Sequence, residues 1–239
     1  MPLTLHGYWR SGAAWRVRIA LALKGVGYAQ VTHDLRTGAQ KDPGFLTRSP
    51  QGLVPALDIG EAVLIQSLAI LEWLDERYPE PSLLPTGLTA RAQVRAMAAA
   101  IACDIHPLNN LRVLQSLRSD FKADANQVNE WIARWVMPGF TALEAMITRH
   151  GGTFAFGDTP TIADCCLIPQ VYSARRFGVD LGAFSRIRGV DTHCAGLAAF
   201  FQAQADGQPD ADQKSIIRCP VDLASTLPLS TEIDEALRR

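Results

Sequence analysis

The spacing of apolar positions predicts two strands joined by a helix at the start of the chain. Residues 3–8 and 29–34 alternate as strands do, and apolar residues at helical spacing lie between them. A turn at residues 10–12 precedes the helix, and Gly25 ends it. Three basic residues interrupt its apolar face: Arg16, Arg18 and Lys24. The pattern therefore predicts a βαβ unit around an amphipathic helix.

A hairpin and a second helix are predicted after an irregular loop. Residues 37–48 contain glycine and proline and indicate a loop with a short helix. Two short apolar runs, at 54–59 and 63–65, are separated by a turn and predict a hairpin. Ser67 has the position of an N-cap for a helix that ends before a proline. This part of the chain follows the order βαβ, then ββα.

Residues 78–86 are rich in proline, and we interpret them as a linker. The pattern after this segment predicts helices and no strands. Residues 89–121 predict one long helix, and residues 126–149 predict a second. The second helix is expected to direct apolar side chains inward: Trp131, Trp135, Phe140, Leu143 and Ile147. We therefore expect a helical bundle after the linker.

A capping box is predicted at Thr161 and Asp164, with the Asp164 carboxylate bonding back to the N-cap of a helix. We assign Asp164 a structural role, because its charge is favourable at a helix N-terminus. One or two more helices are predicted over residues 184–204. The chain is thus predicted to have three parts: an α/β domain over residues 1–85, an all-helical domain over residues 86–210 and a loosely held tail over residues 211–239.

Composition and charge exclude several classes of protein. With 239 residues, 48% of them hydrophobic, the chain can bury a large core. The net charge is -1 and the basic residues are dispersed, so we expect no nucleic-acid partner. No apolar run approaches the ~20 residues that span a bilayer, and no secretory signal pattern is present. We therefore expect a cytoplasmic protein without a membrane partner.

The cysteines lack the spacing of a metal site or a disulfide framework, so we expect reduced thiols and no bound metal. They are Cys103, Cys165, Cys166, Cys194 and Cys219.

Ser11 is the first candidate for chemistry. It lies between a strand and the first turn of a helix, beside unsatisfied backbone N–H groups and the positive end of the helix dipole. An anion or a thiolate would be stabilised there. Serine is also a common N-cap, and the stretch alone leaves both roles open.

A series of motifs, in this order, resembles the zeta class of the glutathione transferase superfamily, whose members include maleylacetoacetate isomerases. The motifs are YWRS at 8–11, WRVRIALALKG at 15–25, QGLVPAL at 51–57, QSLAI at 66–70, DIHPLNNLRVL at 104–114, GDTPTIAD at 157–164 and SARRFGVDL at 173–181. The resemblance covers residues 3–210. It implies a thioredoxin-like N-terminal domain, an all-helical C-terminal domain, a homodimer and glutathione as cofactor.

The resemblance also implies which residues bind glutathione. Val54-Pro55 matches a cis-proline turn whose backbone pairs with the cysteinyl residue of glutathione. Gln66 and Ser67 match positions that bind the γ-glutamyl carboxylate, and Gln40 matches one near the glycyl end. The complete set is Ser11, Gly12, Gln40, Val54, Pro55, Gln66, Ser67, Asp104, His106 and Asn110.

The catalytic residues implied by the resemblance are Ser11, Arg10 and Arg176. Many zeta members have a cysteine after the serine, but Gly12 and two alanines follow Ser11 here. We therefore expect the thiol of glutathione, rather than a protein cysteine, to take part in the reaction. Ser11 is then the group that lowers its pKa. The carboxylates of a dicarboxylate substrate are assigned to arginines, which bind them with two hydrogen bonds: Arg10, Arg112 and Arg176.

The leading functional hypothesis is a glutathione-dependent cis–trans isomerase acting on maleylacetoacetate or maleylpyruvate. Some maleylpyruvate isomerases of this class have a second arginine where this chain has Leu111, which favours maleylacetoacetate. The alternative is a general transferase that consumes glutathione on electrophiles or α-haloacids. A non-catalytic binding module is disfavoured, because it has no need for Ser11, Gln66 and Ser67 together.

Overall fold

The computed structural model describes residues 2–212. Its N-terminal part is a sheet with helices, in the order β1 Leu3–Gly7, α1 Gly12–Leu23, β2 Tyr28–Thr32, α2 Pro43–Leu46, β3 Ala56–Asp58, β4 Val63–Ile65 and α3 Ser67–Arg77. A 3₁₀ turn at Ala39–Lys41 precedes α2. The predicted βαβ–ββα order is confirmed.

The sheet has the strand order β2-β1-β3-β4. β1 is parallel to β2 and antiparallel to β3, and Leu5 on β1 faces Gln30 and Leu57. β3 and β4 form the predicted hairpin. The predicted strand at 54–59 was too long, because Pro55 has no N–H for a ladder hydrogen bond.

The part of the chain after the linker is helical. Its elements are α4 Leu88–Ala99, a π-helix at Ala100–Ile105, a 3₁₀ helix at His106–Asn109, α5 Leu111–Ser119, α6 Ala125–His150, α7 Ile162–Arg176, α8 Ser185–Ala195, α9 Ala198–Ala203 and a 3₁₀ turn at Ala205–Gly207. The long helix predicted over 126–149 is confirmed, and the one or two helices predicted over 184–204 are two, α8 and α9. Trp135 is a correction, because it is 38% exposed rather than inward.

The single helix predicted over residues 89–121 is wrong. The chain leaves α-helical geometry at Ala100 and resumes it at Leu111, where Asn110 Oδ1 accepts from Arg112 N at 3.2 Å as the N-cap. Pro107 has no N–H to continue the helix ladder. The apolar spacing passes through this break unchanged, so periodicity alone does not reveal it.

The π-helix packs closely against α6. A Cβ atom on Gly139 would lie 2.3 Å from Ile105 Cδ1, so only glycine permits this approach. Ile105 is buried at the contact. The close packing fixes the position of His106, the next residue along the chain.

Helix α1 is buried on all sides, which corrects the predicted amphipathic helix. It packs against helix α3, which belongs to the N-terminal part with the sheet, and also against α7 and α9 of the helical part. Arg16, Arg18 and Lys24 are 2%, 1% and 8% exposed. A helix covered on both sides must bury its polar side chains, and each then needs a partner.

Arg18 shows how one of these cations is accommodated. Its guanidinium donates to the carbonyl oxygens of Ala203 at 3.0 Å, Trp9 at 2.8 Å and Tyr8 at 3.4 Å. Arg18 therefore connects α9 to the turn between β1 and α1.

The linker is anchored by a buried ion pair. Lys24 Nζ donates to Asp75 Oδ1 at 2.7 Å and also bonds the Pro81 carbonyl. The same carboxylate oxygen accepts from Leu83 N at 2.6 Å, and the Leu83 side chain is fully buried. The segment predicted as a linker is thus anchored to the core through Leu83 and Leu84, while residues 79–82 stay exposed.

The capping box at the start of α7 is confirmed. Asp164 Oδ2 accepts from Thr161 N at 2.8 Å and Thr161 Oγ1 at 2.9 Å, while Oδ1 accepts from Ala155 N at 2.8 Å. The carboxylate therefore fixes the local backbone.

No helix among residues 2–212 is both long and apolar enough to cross a membrane. Most of the predicted tail, residues 213–239, lies outside the described residues.

We predict that Asp75→Ala lowers the free energy of unfolding by about 3–5 kcal/mol, because it leaves the Lys24 cation buried without a counter-charge. Urea unfolding measures this change. Glu76→Ala, on the exposed side of the same helix, is the matched control and should change stability by no more than ~0.5 kcal/mol. Equal effects of the two substitutions would contradict this role of Asp75.

Candidate active site

Two adjoining cavities lie beside the N-terminus of α1. The larger cavity has a volume of about 560 Å³ and the smaller about 160 Å³. Both are lined by Ser11, Arg16, His106 and Asn110. The first turn of α1 therefore stands where the two cavities meet.

Ser11 is the N-cap of α1, and its Oγ accepts from Ala14 N at 3.3 Å. Accepting this bond leaves the hydroxyl hydrogen available to a ligand. The capping role and the chemical role are therefore compatible. A group at the junction of the cavities also meets the positive end of the α1 dipole.

His106 lies against the first turn of α1. A Cβ atom on Gly12 would be 3.6 Å from His106 Cε1, so the imidazole covers this glycine closely. Burial, and secondly the charge of Arg16, lower the pKa of His106 to about 3. The ring is therefore neutral at physiological pH.

The larger cavity contains most of the residues assigned to glutathione. Gln40, Val54, Pro55, Gln66 and Ser67 line it, and the Val54-Pro55 peptide bond is cis. Gln40 Oε1 is buried without a partner in the described part of the chain, so it is available to a ligand.

Ser67 is the first residue of α3, and the N-cap is Gln66, which corrects the predicted cap. Gln66 has a φ of 69°, which is rare for a residue with a side chain, and such strain is common at ligand sites. Its Nε2 donates to Gln51 Oε1 at 2.7 Å. Ser67 Oγ accepts from Arg16 Nη1 at 3.1 Å.

The smaller cavity is lined by Arg10 and Arg176. Each guanidinium stacks on an aromatic neighbour, 5.0 Å from the Trp9 ring centroid and 4.6 Å from that of Phe177. Neither forms an ion pair within residues 2–212. Desolvation, and then the charge of Arg10, lower the pKa of Arg176. Two cations at one cavity favour a ligand with two negative charges.

Arg175 has a different environment from Arg176. Its Nη1 donates to Asp191 Oδ2 at 2.6 Å, and it lines neither cavity. The two adjacent arginines thus differ in environment: Arg175 is paired with Asp191, whereas Arg176 lines the smaller cavity.

Two predicted site residues are not gathered with the others. Asp104 lies in the π-helix, is exposed and lines neither cavity. Arg112 is exposed and lines the larger cavity instead of joining Arg10 and Arg176 at the smaller one. A clamp of three arginines is therefore not assembled in this chain.

Several cavity residues were missed by sequence reasoning. The smaller cavity is also lined by side chains with buried polar atoms that have no partner in the described residues: Tyr8, Trp15, Asn109 and Gln170. Apolar spacing gives no signal for them. For Arg16 the sequence does give a signal, because it lies one helical turn after Gly12 and so shares the same face of the helix.

Arg36 also lines the smaller cavity and was not predicted. Its guanidinium binds Asp34 at 2.7 Å and Asp212 at 2.6 Å, and lies 5.9 Å from the Tyr8 ring centroid. Because its charge is already paired, Arg36 closes the cavity wall rather than adding a free cation.

Within residues 2–212, no group of three His, Cys, Asp or Glu side chains is placed to hold a metal ion.

Two family models match the chain. The N-terminal domain model of glutathione S-transferase matches residues 1–76, and the C-terminal domain model matches residues 125–203.

Curated relatives are similar over most of the chain. Maleylpyruvate isomerase from Ralstonia sp is 50% identical over 211 residues, which cover 87% of this chain and 100% of that protein. Maleylacetoacetate isomerase from Pseudomonas aeruginosa is 47% identical over 211 residues, which cover 87% and 98%.

Solved structures share the same architecture. A maleylpyruvate isomerase, described as a bacterial zeta-class glutathione S-transferase in its holo form, has a TM-score of 0.85 at 50% identity and covers 87% of this chain and 99% of that one. A maleylacetoacetate isomerase from Anaeromyxobacter dehalogenans, with glutathione in its active site, has a TM-score of 0.80 at 45% identity, covering 88% and 98%. The chain therefore belongs to the glutathione S-transferase family, as its motifs indicated.

Proposed function

We propose that this protein is a glutathione-dependent cis–trans isomerase that converts maleylacetoacetate to fumarylacetoacetate or maleylpyruvate to fumarylpyruvate. The observation that carries the proposal is the position of Ser11. It stands where a cavity with the residues assigned to glutathione meets a cavity with two arginines that form no ion pair within residues 2–212. The names of the relatives favour the isomerase over a general transferase.

The residues of the larger cavity fit glutathione. The Val54 backbone pairs with the cysteinyl residue, Ser67 binds the γ-glutamyl carboxylate at the N-terminus of α3, and the side-chain amide N–H of Gln40 donates to the glycyl carboxylate. Gly12, His106 and Asn110 border the thiol at the junction of the cavities.

Bound glutathione supplies a thiolate that adds to the activated C=C bond and leaves after rotation, so that the thiol is regenerated. The protein stabilises this thiolate. Ser11 donates its hydroxyl hydrogen, and the N–H groups of the first turn of α1 add their positive field. The neutral His106 ring adds no competing charge.

Arg10 and Arg176 hold the carboxylates of the substrate in the smaller cavity. Both cations lack a protein counter-charge among the described residues, so a dicarboxylate relieves their mutual repulsion. Leu111 favours maleylacetoacetate, while the relatives include isomerases of both names.

The test of the proposal follows isomerisation and free thiol together. The purified protein, with glutathione and either maleylacetoacetate or maleylpyruvate, should form the trans product while the thiol concentration stays constant. Loss of one thiol per substrate molecule would support the transferase alternative, and absence of product with both substrates would contradict the proposal.

We predict that Ser11→Ala lowers turnover by roughly 10–1000-fold, because a preorganised donor to the thiolate is lost. The dissociation constant of glutathione should change much less, since the γ-glutamyl anchors remain. Ser67→Ala is the matched comparison and should act mainly on glutathione affinity. Steady-state kinetics and calorimetry measure the two effects, and unchanged turnover in Ser11→Ala would refute this role.

We predict that Arg176→Ala raises the KM for the dicarboxylate by roughly 10–150-fold, the range for a charged hydrogen bond, with glutathione binding unaffected. Arg175→Ala, whose partner is Asp191, is the control and should leave KM within about threefold of the wild type. If the two variants have equal KM values, Arg176 does not bind the substrate.

We further propose a cytoplasmic homodimer, as the family resemblance implies. Asp104, exposed and outside both cavities of its own chain, is then available to border the site of the second protomer. Light scattering at micromolar concentration should give twice the 26.0 kDa mass of one chain. A monomeric mass would contradict the dimer.

A further inference from the structure

Arg16 is a buried cation without a counter-charge in the described residues. It is 2% exposed, it forms no ion pair there, and its Nε atom is buried without a partner. Its one hydrogen bond in this part of the chain goes from Nη1 to Ser67 Oγ, at 3.1 Å. Arg18, equally buried, has three carbonyl acceptors. A buried charge of this kind is unfavourable unless something neutralises it.

Two titratable groups beside Arg16, Cys166 and His106, are neutral. Burial raises the pKa of the Cys166 thiol to about 11, and that of His106 is lowered to about 3. Burial also lowers the pKa of Arg16, yet a guanidinium keeps its proton in proteins. Arg16 lines both cavities, which places its guanidinium within reach of an anionic ligand in either one.

The hydrogen bond to Ser67 determines which way the serine hydroxyl donates. Ser67 Oγ accepts from Arg16, and within residues 2–212 its own hydrogen has no protein acceptor. Ser67 is 7% exposed and lines the larger cavity at the N-terminus of α3. The hydroxyl hydrogen is therefore available to an acceptor in that cavity.

We propose that Arg16 is the positioning residue and counter-charge for the γ-glutamyl α-carboxylate of glutathione, acting through Ser67. The hydrogen bond from Arg16 orients the Ser67 hydroxyl to donate to the carboxylate. The carboxylate supplies the negative charge that the described residues around Arg16 do not provide. This inference rests on the proposed function, since it requires glutathione in the larger cavity.

Two probes distinguish the contribution of this carboxylate to binding from that of the thiol. S-methylglutathione keeps the carboxylate and cannot form a thiolate, whereas 4-aminobutyryl-cysteinylglycine lacks only the α-carboxylate. By calorimetry, Arg16→Met should weaken binding of S-methylglutathione by roughly 10–150-fold, the range for a charged hydrogen bond. It should change binding of the second probe by less than about threefold, because the coupled group is missing. Arg16→Lys should recover part of the affinity for S-methylglutathione, because the charge is kept.

Stability without ligand distinguishes this role from a structural one. Arg16→Met should leave the unfolding temperature unchanged or raise it, because it removes an uncompensated buried charge. Arg18→Met is the matched control and should lower it, because three backbone carbonyls lose their donor.

Three results would overturn the inference while leaving the proposed function intact: equal losses with both probes, no loss with S-methylglutathione, or a fall in unfolding temperature as large as that of Arg18→Met. A wild-type protein that does not bind glutathione would overturn the proposed function and this inference together.

Discussion

The burial of helix α1 on every side is the constraint on which the rest of the structure depends. The helix lies between the sheet domain and the helical part, so its basic side chains are buried and each requires a partner. Lys24 is paired with Asp75, and Arg18 is satisfied by backbone carbonyls. Among residues 2–212, the hydrogen-bond partner of Arg16 is the Ser67 hydroxyl alone, and this difference connects the packing of the helix to the proposed ligand binding.

The same burial places the N-terminus of α1 at the junction of two cavities. Backbone N–H groups and the Ser11 hydroxyl favour negative charge there, and the Arg16 cation lines both cavities beside them. The chain as a whole has a net charge of -1. The positive field is therefore a local property of the site, produced by unpaired arginines rather than by composition.

Much of the fold could be predicted from the sequence, because short strands, turn residues and helical spacing agree in the N-terminal part. The capping box at Thr161 and Asp164 was also predictable, since both partners are close in sequence. The break before α5 was not, because apolar spacing continues through the π-helix and Pro107. The domain limits remain a prediction.

The candidate site was predictable where a motif fixed the residue, as for Ser11 and Arg176. It was not predictable where tertiary packing decides exposure. Arg16 and Arg18 have the pattern of surface residues, yet a second layer of helices covers them. Asp104 and Arg112 match family positions, but both are exposed, and neither lines the smaller cavity with Arg10 and Arg176.

The central claim is that the N-terminus of α1 stabilises glutathione as a thiolate, and titration of the wild-type complex tests it most directly. Ultraviolet absorbance of the thiolate, followed against pH with glutathione bound, gives the pKa of the bound thiol. The account predicts a value below about 7, compared with about 8.5 for an ordinary cysteine thiol. A bound thiol that ionises at or above about 8.5 would contradict it.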